Sequence, residues 1–230
     1  MNSKKLIVYG FIITIVMFLT ANLIGSKIHL NSNFIPSSFV GHVTMLLLSV
    51  VVIWIMNKGL NFRIGIPKLK KTLKPFFIGV IIAIVINLLM YIITKLTGGT
   101  ITQHPLLPKL NALQTFLFVF LLASIAEELL FRGFFQNSLK SLNKSGITIF
   151  KCKFSFPVIM SAIMFGLAHL ILISTGVDFL FLIRIVLFTT ILGIASGYYQ
   201  EKYDNTSYAI IVHMGGNLTA ILGALAMGMH

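Results

Sequence analysis

The chain has 230 residues, of which 57% are hydrophobic and only 10% are charged, with a mean hydropathy of +0.97. Soluble domains carry about 25% charged residues, so a water-soluble fold cannot bury this much apolar surface and composition predicts a polytopic membrane protein. The net charge is +13, but the cations cluster between apolar runs, which is typical of membrane topology. We therefore expect no nucleic-acid partner. The single cysteine, Cys152, excludes an internal disulfide and a multi-cysteine metal site.

Seven apolar segments are long enough, or nearly so, to cross a bilayer as helices. They cover about 6–25, 38–57, 76–96, 113–139, 156–173, 178–200 and 207–229. The sequence thus predicts an all-α bundle of about seven to eight membrane helices, forming one membrane domain over 1–230. The first segment follows Lys4 and Lys5 but is too long for a signal peptide, so we interpret it as a retained anchor.

The distribution of lysine and arginine predicts the orientation of the chain. Thirteen of these cations fall on one side of the predicted bundle, in the N-terminal tail and in the connections 57–75, 140–155 and 201–206, against three on the other side. The positive-inside rule then places the N-terminus in the cytoplasm. The basic 57–75 connection is expected to contact anionic lipid headgroups. The excess of lysine over arginine favours a bacterial cell membrane as the location.

Two of the five acidic residues, Glu127 and Glu128, are adjacent within an apolar run. Ionisable groups inside a membrane usually face a bundle interior or a wet cavity. Arg132 lies one helical turn after Glu128, so these two side chains are expected to pair. Glu127 points about 100° away around the helix and has no cation nearby in sequence, which suits a general base or acid. The alternative is that both glutamates form ion pairs with Arg132 or Arg184 and have only the structural role of holding helices together.

Two further pairs of residues are spaced four apart on later apolar segments: Phe165 with His169, and His213 with Asn217. Such residues share a helix face, and we expect the three faces to converge on one site. Phe165 is expected to fix the His169 ring, and His213 with Asn217 can stabilise a developing oxyanion. The alternatives are buried structural histidines and a polar contact between helices.

Together these residues resemble the CPBP family of membrane proteases. That family includes type II CAAX prenyl proteases and the bacteriocin-processing or self-immunity proteins called Abi. The resemblance rests on three ordered motifs with Gly133-Phe134 after the first: Glu127-Glu128-x-x-x-Arg132, Phe165-x-x-x-His169 and His213-x-x-x-Asn217. It covers about residues 113–220, which we expect to form the protease core.

The resemblance implies an intramembrane endopeptidase acting on a membrane-associated peptide or protein. In the roles that it implies, Glu127 activates a water and His169 positions it. His213 and Asn217 stabilise the oxyanion, while Glu128 and Arg132 orient the site. Candidate substrates are a bacteriocin leader, a pheromone peptide and a lipidated C-terminal tail.

A cofactor and two other function classes stay open. Zinc could bind Glu127, His169 and His213, but the chain has no HExxH motif, and we favour a mechanism without metal. A non-catalytic immunity or scaffold protein of the same fold has no need for buried ionisable groups. An ion or proton carrier would more often show repeated halves. We assign no role to the histidines that lack a partner at helical spacing: His29, His42, His104 and His230.

Overall fold

The computed structural model describes residues 3–56, 62–99, 104 and 107–226. Lys58, His230 and residues 227–229 of the last predicted segment lie outside the described residues. The described chain forms seven long helices: α1 (Ser3–Lys27), α2 (Phe39–Met56), α3 (Leu73–Leu96), α4 (Ala112–Gln136), α5 (Phe156–Ala168), α6 (Phe179–Tyr203) and α7 (Ser207–Ala226). All seven give spans that are apolar and long enough to cross a membrane. The predicted all-α bundle is confirmed.

The connections alternate between the two ends of the bundle. At one end, Asp204 accepts hydrogen bonds from Arg63 at 3.1 Å and from Lys140 at 3.0 Å. These contacts join the three lysine- and arginine-rich connections. At the other end, the Gln114 amide at the start of α4 donates to the Phe34 carbonyl in the α1–α2 connection at 2.8 Å. The basic connections therefore share one face, as the count of cations predicts.

Helix α4 is the central element of the bundle. Half of its span is buried inside the protein, against 11–33% for the spans of the other six helices. Its buried apolar side chains, among them Leu130, Phe134 and Phe135, are fully enclosed. Of the two adjacent glutamates on this helix, Glu128 is fully buried and Glu127 is largely buried.

The backbone of α4 departs from the regular α-helix that the sequence predicts. A short α-helical turn, Ser124–Glu128, carries the two glutamates between two π-helical stretches, Thr115–Ala123 and Leu129–Gln136. Neighbouring helices use the carbonyls of these stretches, since Ser161 of α5 donates to the Phe131 carbonyl at 2.8 Å and Gln200 of α6 to the Arg132 carbonyl at 3.0 Å. Such π-helical stretches are rare and often occur at functional sites.

The connection between α4 and α5 contains a β-hairpin that the sequence analysis missed. Strand β1 (Gly146–Ile149) pairs antiparallel with β2 (Cys152–Ser155). Its two-residue turn has positive φ at both Phe150 and Lys151, the conformation that matches the twist of a tight hairpin. Neither residue is the asparagine or glycine that usually marks such a turn, so this hairpin has no local sequence signature.

Candidate active site

Glu128 is the centre of a fully buried ionic network. Its Oε1 accepts hydrogen bonds from Arg132 Nη1 at 3.1 Å and from His213 Nδ1 on α7 at 2.9 Å. The side chains of Glu128 and Arg132 are both wholly inaccessible to solvent. The contact with Arg132 is the one that the helical spacing predicts. Its further bond to His213 fixes the imidazole with Nε2 turned away from Glu128.

Glu127 lies beside this network but is not part of it. Its Oε2 is 3.9 Å from His213 Nε2, and its Oε1 is 3.4 Å from His42 Nε2 on α2. The Glu127 side chain is 16% exposed, against none for Glu128. The first carboxylate is therefore reachable and faces an imidazole, whereas the second is enclosed.

Phe165 joins the two imidazoles that the motifs predict. Its ring meets those of His169 and His213 edge-on, with centroids 5.0 and 5.5 Å apart. The Arg132 guanidinium lies 4.5 Å above the same ring. His169 Nδ1 contacts the Phe165 carbonyl at 2.9 Å, so that nitrogen carries the hydrogen and Nε2 is left as an acceptor in the neutral ring.

Asn217 lies one turn after His213 but directs its amide nitrogen at α4. Its Nδ2 donates to the Val119 carbonyl at 3.2 Å and to Ser124 Oγ at 3.1 Å. These two bonds use both amide hydrogens and tie α7 to the π-helical part of α4. Ser124, which the sequence analysis did not select, is thus a partner of a candidate site residue.

Small residues make room for the Arg132 guanidinium. A Cβ atom added to Gly193 on α6 would collide with Arg132 Nη2 and would lie 3.1 Å from the Ala162 Cα. One turn later, the Gly197 carbonyl accepts a hydrogen bond from Gln136 at 3.1 Å. Helix α6 therefore packs against the ionic side of α4 through its two glycines.

The second half of the chain matches a known family. The sequence pattern described as type II CAAX prenyl endopeptidase Rce1-like covers residues 109–219. This segment is similar to the Rce1-like family. The resemblance drawn from the motifs is confirmed, and the Rce1-like segment contains all three of them. No curated protein and no solved structure matches the chain.

One histidine from outside the Rce1-like segment contacts Glu127 and another lies in the connection before α4, although the sequence analysis assigned them no role. His42, in the first turns of α2, contacts Glu127 as described above. His104, in the connection before α4, packs edge-on against Phe181 with ring centroids 5.9 Å apart. Burial lowers the pKa of His104 to about 4, helped by His169 and opposed by Glu127. Spacing along one helix cannot reveal such neighbours, because each comes from a different element.

The suggested zinc ligands do not form a metal site in this geometry. Among the residues that the structure describes, no three His, Cys, Asp or Glu side chains are arranged to hold a metal ion. The ring orientations of His169 and His213 alone would suit metal ligands. In each ring Nδ1 contacts a protein oxygen, and Nε2 is not used in that contact.

Proposed function

We propose that the protein is an intramembrane endopeptidase in which Glu127 activates the attacking water. The observation that carries this proposal is the separation of 3.9 Å between Glu127 Oε2 and His213 Nε2. The rings of His213 and His169 both pack against Phe165. A carboxylate and an imidazole this close can share one water or one reacting carbonyl. Similarity to the Rce1-like family supports the same reaction class.

The reaction begins with proton transfer from a water to Glu127 Oε2. The water oxygen attacks the carbonyl carbon of the scissile peptide bond, and the π-electron pair moves to the carbonyl oxygen. When the tetrahedral intermediate collapses, the C–N bond breaks and the departing amine takes the proton from Glu127. The carboxylate is thereby restored, and the products are a new carboxyl terminus and a new amino terminus.

His213 is the group best oriented to stabilise the oxyanion. Its Nδ1 is held by Glu128, which in turn is held by Arg132. With a hydrogen also on Nε2, the ring would present this donor on the side where Glu127 lies, and such a fixed donor in a dry site contributes about 2.7–4 kcal/mol to transition-state stabilisation. His169, with Nε2 as an acceptor, would orient the attacking water.

Asn217 is the weaker of the two proposed oxyanion donors. Both hydrogens of its amide nitrogen are used by α4. For Asn217 to donate to an oxyanion, one of these bonds must lengthen when substrate binds. Its alternative role, fixing α7 against the turn that carries the glutamates, is compatible with catalysis by the other residues.

An apolar cavity next to the site favours a substrate with an apolar or lipidated part. The cavity has a volume of about 320 Å³ and lies between α1, α4 and α5. One of its walls is Phe131, whose ring packs 5.1 Å from that of Phe165. We propose that this cavity receives the apolar group of a membrane-associated peptide, such as the lipidated tail that the family description implies.

The orientation with a cytoplasmic N-terminus is part of this proposal. The shared face of the basic connections supports it, since lysine and arginine are retained on the cytoplasmic side of membranes. The same face would contact anionic lipid headgroups. A cysteine scan of the exposed connections with a membrane-impermeant maleimide, on the C152S background, tests the orientation directly.

The function is tested by comparing membranes from cells that express wild-type protein or E127Q. New protein N-termini are identified by mass spectrometry of N-terminally labelled peptides. We expect a set of membrane-associated substrates whose new N-termini appear with the wild type and are lost with E127Q. Identical N-termini in the two samples would remove the catalytic assignment and favour an immunity or scaffold protein of the same fold.

A further inference from the structure

We propose that His42 is a positioning residue for Glu127, so that the site extends beyond the Rce1-like segment into α2. This inference rests on the proposed function, because it concerns the residue that activates the water. His42 Nε2 lies 3.4 Å from Glu127 Oε1, and the two side chains are 19% and 16% exposed. Helix α2 lies outside residues 109–219, so the family pattern assigns nothing to it.

The surroundings of His42 indicate which ring nitrogen carries the hydrogen. Its Nδ1 is buried, and no residue in the described part of the chain forms a hydrogen bond with it. A buried N–H without an acceptor costs about 1–3 kcal/mol, whereas a bare ring nitrogen loses only an acceptor interaction. The neutral ring with its hydrogen on Nε2 avoids that cost and donates toward Glu127. At 3.4 Å the separation exceeds the usual hydrogen-bond distance, and catalytic contacts of this kind can tighten when substrate binds.

The helix of Glu127 supplies little to orient its carboxylate. The residues four before and four after it are Ala123 and Phe131, which are apolar, and Ser124, three before it, is engaged by Asn217 of α7. The imidazoles that contact the carboxylate, His42 and His213, both come from neighbouring helices. With His42 on Oε1, the second oxygen is directed at His213 Nε2, which is 3.9 Å away.

Helix α2 is held firmly enough to fix this geometry. Its buried residues Met45 and Ile53 belong to the same apolar core as Ala126 and Leu129, which flank the glutamates on α4. The His42 ring therefore keeps its place relative to Glu127. A displacement of about 1 Å at a reacting group can cost about 100-fold in rate, so loss of this contact should lower kcat more than it changes KM.

The test uses H42L, which removes the donor, and H42Q, whose amide nitrogen can reach the same oxygen. H29L is the matched control, because His29 is an exposed histidine in the α1–α2 connection. Cleavage is measured in liposomes with a quenched-fluorescence farnesylated peptide ending in a CAAX sequence. We expect kcat of H42L to fall about 100-fold with little change in KM. H42Q should recover most of the rate, and H29L should match the wild type.

A second measurement does not depend on activity. The chain has three glutamates, Glu127, Glu128 and Glu201, so side-chain carboxyl ¹³C signals of glutamate-labelled protein can be assigned with single Gln variants. We expect H42L to shift the Glu127 signal and H42Q to move it back, with the Glu201 signal unchanged. An unmoved Glu127 signal in H42L would overturn the positioning role, as would wild-type kcat in H42L.

The two proposals fail in different ways. If E127Q cleaves the peptide like the wild type, the proposed function is wrong. If E127Q is inactive and H42L is fully active, the proposed function stands and only the role of His42 is wrong. Equal loss of rate in H42L and H42Q would likewise contradict positioning through a donated hydrogen bond.

Discussion

Glu128 and His213 are 85 residues apart in sequence and are joined by a hydrogen bond of 2.9 Å inside the bundle. The same carboxylate oxygen holds Arg132. Glu128 thus links α4 to α7 and orients the imidazole that faces Glu127. The adjacent glutamates consequently differ in kind, since Glu128 is fully enclosed and holds two partners, whereas Glu127 is partly exposed.

Replacing Glu128 should damage the fold as well as the site. In E128Q, the buried Arg132 loses its counter-charge, and breaking a buried ion pair costs about 3–5 kcal/mol. We expect a large fall in thermal stability in detergent, measured by the fluorescence of a thiol-reactive or tryptophan probe. E127Q is the matched control and should keep wild-type stability, because Glu127 has no fully buried partner. Equal stability of the two variants would contradict this division of roles.

Asn217 provides a test that separates catalysis from helix packing. N217A removes both bonds to α4 and should lower stability by about 1–2 kcal/mol, since buried hydrogen-bond partners are left unsatisfied. S124A removes only one of the two acceptors and should cost less. If Asn217 also stabilises the oxyanion, N217A loses a further 10²–10³-fold in kcat, on the order seen for such donors. An unchanged kcat in N217A would assign the oxyanion to His213 alone.

The pH dependence of stability should report on His104. Its pKa in the folded protein is lowered to about 4, chiefly by burial, whereas the ordinary value of 6.5 applies when the chain unfolds. Between these values the unfolded state binds more protons, so stability is complete above pH 6.5 and is lost as the pH falls toward 4. The groups that interact with His104 are Glu127, His169, His42 and Arg184.

H104Q should remove this part of the acid sensitivity. We expect the difference in unfolding free energy between pH 7 and pH 4.5 to shrink by at most about 3 kcal/mol, the upper bound for a shift of this size. H29Q is the control, since His29 is exposed. Parallel stability curves for H104Q and the wild type would contradict burial of a neutral His104.

A mechanism without metal predicts that chelation has no effect. We expect cleavage to continue at the same rate after dialysis against 1,10-phenanthroline, and purified protein to contain much less than one zinc per chain. The measurement is elemental analysis together with the peptide-cleavage rate. If chelation abolishes activity and added zinc restores it, Glu127, His169 and His213 would instead be zinc ligands. Their geometry would then differ from the one described above.

The sequence predicts the bundle well because the signals involved are local. Apolar length identifies seven helices, and spacing along one helix predicts the contact of Glu128 with Arg132. Contacts between residues of different helices cannot be predicted from spacing along one helix. His42 contacts Glu127 from α2 and His104 comes from the connection before α4, and spacing along one helix marks neither of them.

The backbone of the site is the other feature that the sequence does not reveal. In the π-helical stretches on either side of Ser124–Glu128, backbone carbonyls accept hydrogen bonds from other helices. The Val119 carbonyl accepts from Asn217 of α7, and the Arg132 carbonyl accepts from Gln200 of α6. Those interactions exist only after the helices pack. Similarly, the turn of the hairpin uses Phe150 and Lys151 at positive φ, which local preference disfavours.

The most direct test of the account is cleavage in water enriched in ¹⁸O. Wild-type protein and E127Q are reconstituted in liposomes with extracted membrane proteins, and new C-termini are analysed by mass spectrometry. If a water activated by Glu127 hydrolyses the peptide bond, the wild type produces new C-terminal carboxylates that contain ¹⁸O. E127Q, at the same stability as the wild type, produces none of these labelled termini. The same labelled termini in both samples would contradict the account.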